Sequence, residues 1–182
     1  MERPFLVVDL EATCDRRGFP RTQMEIIEIG AVLVEPEGLT PIDELQTFVR
    51  PVVRPQLTAF CTELTSITQD QVDGAPTFPE AIEALRAWLT GPVLLASWGD
   101  YDRNQLRLDA DRHGVELPFG SRHLNIKRAF AEQANTRKMG MAGALRHVGL
   151  PLEGTHHRGI DDARNIARLL PWALGRRPFP RV

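Results

Sequence analysis

The chain has 182 residues, 42% of them hydrophobic and 25% charged, with a formal net charge of −2. That length suits one ordinary domain with a core of its own. The charge balance excludes a strongly basic, non-specific nucleic-acid coat, though a local positive groove remains open to it.

In chain order, "FLVVDLE" (residues 5–11) reads as a first strand, apolar on both faces, that nonetheless carries Asp9 and Glu11. "MEIIEIGAVLVEPEG" (24–38) alternates and reads as a second strand ending in a turn, and "DELQTFVRP" (43–51) as a third, stopped by Pro51. Short connections make these three an antiparallel meander. The stretch "PQLTAFCTELTSITQDQVDGAP" (55–76) has capping residues but weak periodicity, so turns alternating with one-turn helices are expected. A helical stripe over 77–91 is closed by Gly91, and "PVLLASWG" (92–99) is a fourth, buried strand. A helix over 100–114 ends at Gly114, and residues 121–130 run from a short strand into a helix. Helices over 139–151 and 159–175 complete a single domain, 1–175, with an Arg/Pro-rich tail at 176–182. The expected fold class is α/β, a mixed sheet with helices on both faces.

No apolar run approaches the roughly 18 residues needed to span a membrane, so no membrane partner is expected. Cys14 and Cys61 make neither a CxxC pair nor a zinc spacing and read as reduced thiols in a cytoplasmic protein. All but Lys127 and Lys138 of the 22 basic residues are arginine. Arginine suits phosphate contacts, but a codon bias is the plainer account of the excess.

The acids carry the chemistry. Asp9 and Glu11, two apart on a strand, project to one side near its end, where two like charges call for a cation or for solvent. In "SWGDYDRNQL" (97–106), Asp102 shares a helix face with Leu106 and Ala110, whereas Asp100 suits a helix cap. In "HHRGIDDARNIARLL" (156–170), Asp161 lines up with Arg164, Asn165 and Arg168, a solvated face. Asp162 lines up with Ile166, Leu169 and Leu170, the core stripe, and His157 keeps register with it. Hard oxygen donors without cysteine suit Mg²⁺ or Mn²⁺. Four carboxylates could hold two such ions about 3.5–4 Å apart around a phosphodiester. His157 could take the proton of the attacking water.

Read together, "VVDLEATC", "EIIEIGAV", "FCTELTSITQDQVDGAPTF", "SWGDYDRNQL", "NIKRAF" and "HHRGIDDARNIARL" resemble the DEDDh 3′–5′ exonucleases. The nearest branch is that of the Eri-1-type and histone-mRNA 3′ exoribonucleases, and the likeness runs from about residue 5 to 174. The resemblance implies a ribonuclease H-like five-stranded sheet, three antiparallel strands followed by two parallel ones. It implies Asp9, Glu11, Asp102 and Asp162 as metal ligands, with His157 as general base. It further implies substrate contacts from Glu11, Ala12, Thr13, Phe60, Leu64, Thr65 and His157, and stacking by Tyr101, where relatives often carry Trp. The implied substrate is the single-stranded 3′ end of RNA, favoured over DNA, cut to nucleoside 5′-monophosphates. A proofreading-type DNA exonuclease and a regulatory or adaptor protein on the same fold stay open as alternatives.

Overall fold

The computed structural model describes residues 3–180. A five-stranded sheet of order β3-β2-β1-β4-β5 organises the chain. β1 (Phe5–Ala12) pairs antiparallel with β2 (Ile26–Val34), which pairs antiparallel with β3 (Pro41–Phe48). On the other side β4 (Leu94–Ser97) runs parallel to β1, and β5 (His123–Asn125) parallel to β4. The arrangement of three antiparallel and two parallel strands is the one expected.

The sheet is covered on both faces, which is why its central strands read as continuous apolar runs. Val7, Val32 and Val34 pack under α5 (Ile126–Gln133), α6 (Met141–His147) and α7 (Gly159–Ala173), with Phe130, Leu145 and Ile166 in the same cluster. Leu6, Val8 and Ile29 pack under α3 (Phe78–Trp88) and α4 (Tyr101–His113), against Ile82, Leu85 and Leu106. β2 is buried at every position, so the alternation expected over 24–38 is not realised, because neither of its faces meets solvent. Alternation belongs to exposed sheets. β3 is the exposed edge, and Asp43 and Glu44 blunt it against pairing with another chain.

Two local outcomes differ from expectation. The 55–76 segment forms α1 (Ala59–Thr65), about two turns rather than one, and α2 (Gln69–Asp73), little over one turn as expected, and both are well capped. Thr58 Oγ1 accepts from Cys61 N, and Thr68 and Gln71 close a reciprocal capping box. α3 stops at Trp88 with Leu89 already extended, so Gly91 closes nothing. At α4, by contrast, Gly114 takes the left-handed cap at φ 64°.

The described part of the tail is not a free extension. Arg176 Nη1 donates to the Pro36 and Glu37 carbonyls at 2.5 and 2.7 Å, and Trp172 Nε1 donates to Pro178 O at 3.2 Å. Phe179 lies edge-on to Phe130, 5.2 Å between ring centres. Arg181, expected in that tail, lies outside the described residues. Among the described residues no helix is long and apolar enough to cross a membrane.

One close approach positions the site. A methyl group on Gly30 would collide with the backbone of Gly159 and Ile160, so only glycine lets α7 begin directly on β2. Gly30 faces Asp9 across the ladder. The first turn of α7, with its two acids, is thereby brought beside β1.

Candidate active site

β1 and β4 run parallel, so their C-terminal ends open at the same edge, where clefts form in such sheets. The register between β1 and β2 shifts between Glu11 and Ala12, a bulge of the kind that re-aims side chains beside functional sites. Asp9 and Glu11 project there, and α7 adds Asp162. One carboxylate oxygen from each of Asp9, Glu11 and Asp162 lies within 4.8 Å of the others. Asp102 enters from the first turn of α4, its Oδ1 accepting from Leu10 N at 3.2 Å. A cleft of about 320 Å³ is walled by Asp9, Glu11, Tyr101, Asp102, His157 and Asp162.

The His157 segment is held from both sides. His157 N donates to Asp162 Oδ2 at 3.1 Å, and its φ of 64° puts a non-glycine residue in the left-handed region. Immediately after it, Glu28 accepts from Arg158 Nε (3.1 Å), Arg158 Nη2 (3.2 Å) and Gly159 N (2.9 Å). Gln46 Nε2 adds a fourth donor at 3.1 Å. Glu28 is wholly buried, and this set of partners satisfies its charge.

Two of the cleft acids lack such partners. Among the described residues neither Asp9 nor Glu11 forms an ion pair, and the ion pair of Asp162 is with His156. Burial, then the neighbouring Asp102, Glu11 and Asp162, push the Asp9 carboxyl well above the carboxylate range. Burial and then Asp162 and Glu28 push Glu11 up to about 8. Burial raises Asp102 to about 6, against the pull of its hydrogen bonds. His157 goes the other way: burial, then the adjacent His156, lower its pKa, while Asp162 works against them. Crowded carboxylate donors, Asp9 and Glu11 among them without an ion pair, fit a hard divalent cation, which would remove their mutual repulsion.

Not every expected contact faces the cleft. Thr13 Oγ1 accepts from Glu25 N at 3.0 Å, tying the β1 exit to β2. Thr65 is wholly buried, its hydroxyl donating to Cys61 O at 2.8 Å and accepting from Ile67 N at 3.2 Å. Ala12 is buried too, its carbonyl 3.7 Å from Cys61 Sγ. Phe60 is half-buried beside Arg16, and Leu64 is exposed on α1. Asp100 occupies the position before α4 but makes no side-chain cap; it accepts from Asn125 Nδ2 and pairs with Arg103. Asn165 is not on a solvated face: it is fully buried, donating to the Glu153 and Asp161 carbonyls.

Sequence reasoning missed Trp98 and Met141 on the cleft wall and Glu28 behind it, and set aside His156, which has the same five-residue spacing to Asp161 as His157 has to Asp162. A second acid in the apolar run "EIIEIG" was the available signal for Glu28. A larger cavity of about 740 Å³ lies at the opposite end of the sheet, by Phe5, Leu94, Arg3 and Arg122, but no carboxylate lines it.

Comparison with known proteins gives the same reading. The family model described as Exonuclease matches residues 6–170, and the chain belongs to that family. It is 32% identical over 174 residues to 3′-5′ exoribonuclease 1 of Homo sapiens, covering 90% of this chain and 50% of that protein. It is 31% identical to 3′-5′ exonuclease Snipper of Drosophila melanogaster, covering 91% of this chain and 67% of that protein. The chain therefore spans about half the length of the exoribonuclease 1 relatives. The nuclease domain of 3′hExo, a DEDDh family member solved bound to rAMP, superposes with a TM-score of 0.89 at 29% identity. That alignment covers 99% of this chain and 97% of that one. Divalent metal use comes with the family.

Proposed function

We propose that the chain is a 3′–5′ exonuclease that hydrolyses single-stranded RNA, and DNA less well, from the 3′ end to nucleoside 5′-monophosphates. The observation that carries this is the meeting of the Asp9, Glu11 and Asp162 oxygens, beside Asp102 and His157, in one open cleft. Relatives named as 3′-5′ exoribonucleases, and a near-full-length structural neighbour bound to rAMP, support RNA as the substrate. Asp9, Glu11, Asp102 and Asp162 would hold two Mg²⁺ or Mn²⁺ ions. Bound there, the ions would activate water and offset charge on the leaving 3′ oxygen.

The chain's own groups do the rest. His157, whose burial and neighbour His156 favour the neutral ring, accepts a proton from the attacking water on a ring nitrogen. Asp162 fixes the His157 backbone, and Glu28 fixes the Arg158 guanidinium and Gly159 N, so the backbone that carries the ring is anchored on both sides. Tyr101 and Trp98 wall the cleft with aromatic surface on which a terminal base can stack. Phe60 and Leu64 on α1 offer apolar surface to the neighbouring sugar and base.

The test uses 5′-labelled and 3′-labelled single strands with Mn²⁺. The expected products are a ladder shortening from the 3′ end and labelled mononucleotide from the outset. His157→Ala should lower the rate by about 10²–10⁴-fold, the range for a general base. Internal fragments, or release independent of metal, would overturn the reading.

A further inference from the structure

His156 carries no proton and no working ion in the reaction outlined above, yet its ring stands at the cleft wall. Its Nδ1 lies 2.9 Å from Asp162 Oδ2 and 3.1 Å from Oδ1. It stacks on the ring of His157, 4.0 Å between centres and 22° between planes. Neighbouring side chains on extended backbone point apart. Here the left-handed φ of 64° at His157 turns the chain so that both rings face the same way. One donor atom from each of His156, His157 and Asp162 lies within 4.8 Å of the other two. The His156 side chain is 44% exposed, so an ion can reach it from solvent.

Two imidazoles and one carboxylate are a different ligand set from the oxygens of Asp9 and Glu11. Mg²⁺ and Mn²⁺ favour all-oxygen surroundings, whereas nitrogen with one carboxylate suits Zn²⁺, which binds a given site more tightly than Mn²⁺. Zinc bonds of about 2.0–2.2 Å require the three donors to draw closer and the two imidazoles to turn out of their near-parallel stack. Three protein ligands leave a fourth position for water.

We propose that His156, His157 and Asp162 form a Zn²⁺ site, and that zinc bound there switches the nuclease off by engaging the His157 ring and the Asp162 carboxylate. The inhibitory consequence rests on the nuclease reading; the binding site does not. Zinc would thus act on this chain as a brake set beside its working ions.

The experiment has two arms, both on the full chain stripped of metal with chelator. In the first, ZnCl₂ is titrated by calorimetry in the presence of excess Mg²⁺, without substrate. Wild type should bind one Zn²⁺ that Mg²⁺ does not displace. His156→Gln should weaken that binding about tenfold or more, since even an outer-shell partner is worth that much. Its exposed position leaves folding intact, which an unchanged melting temperature confirms. In the second arm, low Zn²⁺ should inhibit Mn²⁺-supported hydrolysis by wild type, and the zinc concentration that halves the rate of His156→Gln, measured against that variant's own zinc-free rate, should be about tenfold higher or more. Equal zinc affinity in wild type and His156→Gln would overturn the proposal. A chain that binds zinc through His156 but cleaves nothing would instead remove the nuclease reading and leave the site standing.

Discussion

Glu11 and Glu28 face each other across the β1–β2 ladder, and both are buried, yet they are treated in opposite ways. Glu28 receives four donors, among them both nitrogens of an arginine fork. Glu11 receives no cationic partner and is pushed up to about 8. Asp109, one layer further out, follows the Glu28 pattern: it pairs with Arg112 and accepts from Ile26 N at 2.9 Å. These two scaffold acids, one on the sheet and one on the helix packed against it, are compensated on the spot, whereas Asp9 and Glu11 in the cleft have no ion pair among the described residues. Such a contrast locates function, because an unpaired buried acid is tolerated where a ligand completes it.

Substituting Glu11 separates activity from stability most sharply. Glu11→Gln should cut the Mn²⁺-supported rate by about 10³-fold or more, several kcal/mol of lost transition-state stabilisation. In the metal-free protein the same change should stabilise. A carboxyl raised from the usual 4.5 to about 8 holds its proton more tightly when folded. Its favourable contribution is complete below the ordinary carboxylate range and is lost as pH rises toward 8. Metal-free wild type should therefore melt progressively below Glu11→Gln between pH 5 and 8, and Mn²⁺ should close that gap by binding wild type alone. A gap that shrinks with rising pH would contradict the contrast between the two glutamates.

Glu28 should give the reverse sign. Glu28→Ala leaves the Arg158 guanidinium and the Gly159 N–H without partners, at a cost of about 3–5 kcal/mol seen in denaturant unfolding. The milder Glu28→Gln keeps an acceptor and should retain more of the fold while loosening His157, seen as a lower kcat with KM little changed. Gly30→Ala ranks next. Its methyl group meets backbone rather than a pliable side chain, so about 1–3 kcal/mol of overpacking is expected, with α7 and Asp162 displaced from Asp9. Metal affinity should fall with it.

Much of this was legible in the residues. The choice of Asp162 over Asp161 followed from the helix stripe, and Asp161 indeed turns outward to Arg164 and Thr155 N. The choice of Asp102 over Asp100 followed from the same logic, with Asp102 buried and Asp100 half-exposed beside Arg103. Short-range periodicity sees which face a side chain takes. It does not see a partner supplied from a distant strand, which is why Glu28 and its 130-residue reach to Arg158 went unread. Nor could it see that Gly30 makes room for Gly159. Asn165 was misplaced for a related reason: a polar residue on a helix reads as solvated until loop carbonyls are known to meet it.

The smallest expected effects decide which residues of "FCTELT" meet substrate. Leu64 and Thr65 are neighbours on α1, but Leu64 is 36% exposed and Thr65 is wholly buried. Removing the Thr65 hydroxyl deprives Cys61 O of a donor and Ile67 N of an acceptor, so Thr65→Ala should cost about 1 kcal/mol of stability and leave KM unchanged. Leu64→Ala has little packing to lose and should change stability by no more than about 0.5 kcal/mol. If its side chain covers the terminal nucleotide, the loss of apolar contact should raise KM for a short oligonucleotide several-fold, about 1 kcal/mol, with kcat held. An unchanged KM in Leu64→Ala would move the substrate off α1 and onto the Trp98 and Tyr101 wall, where Tyr101→Ala would then carry the larger share.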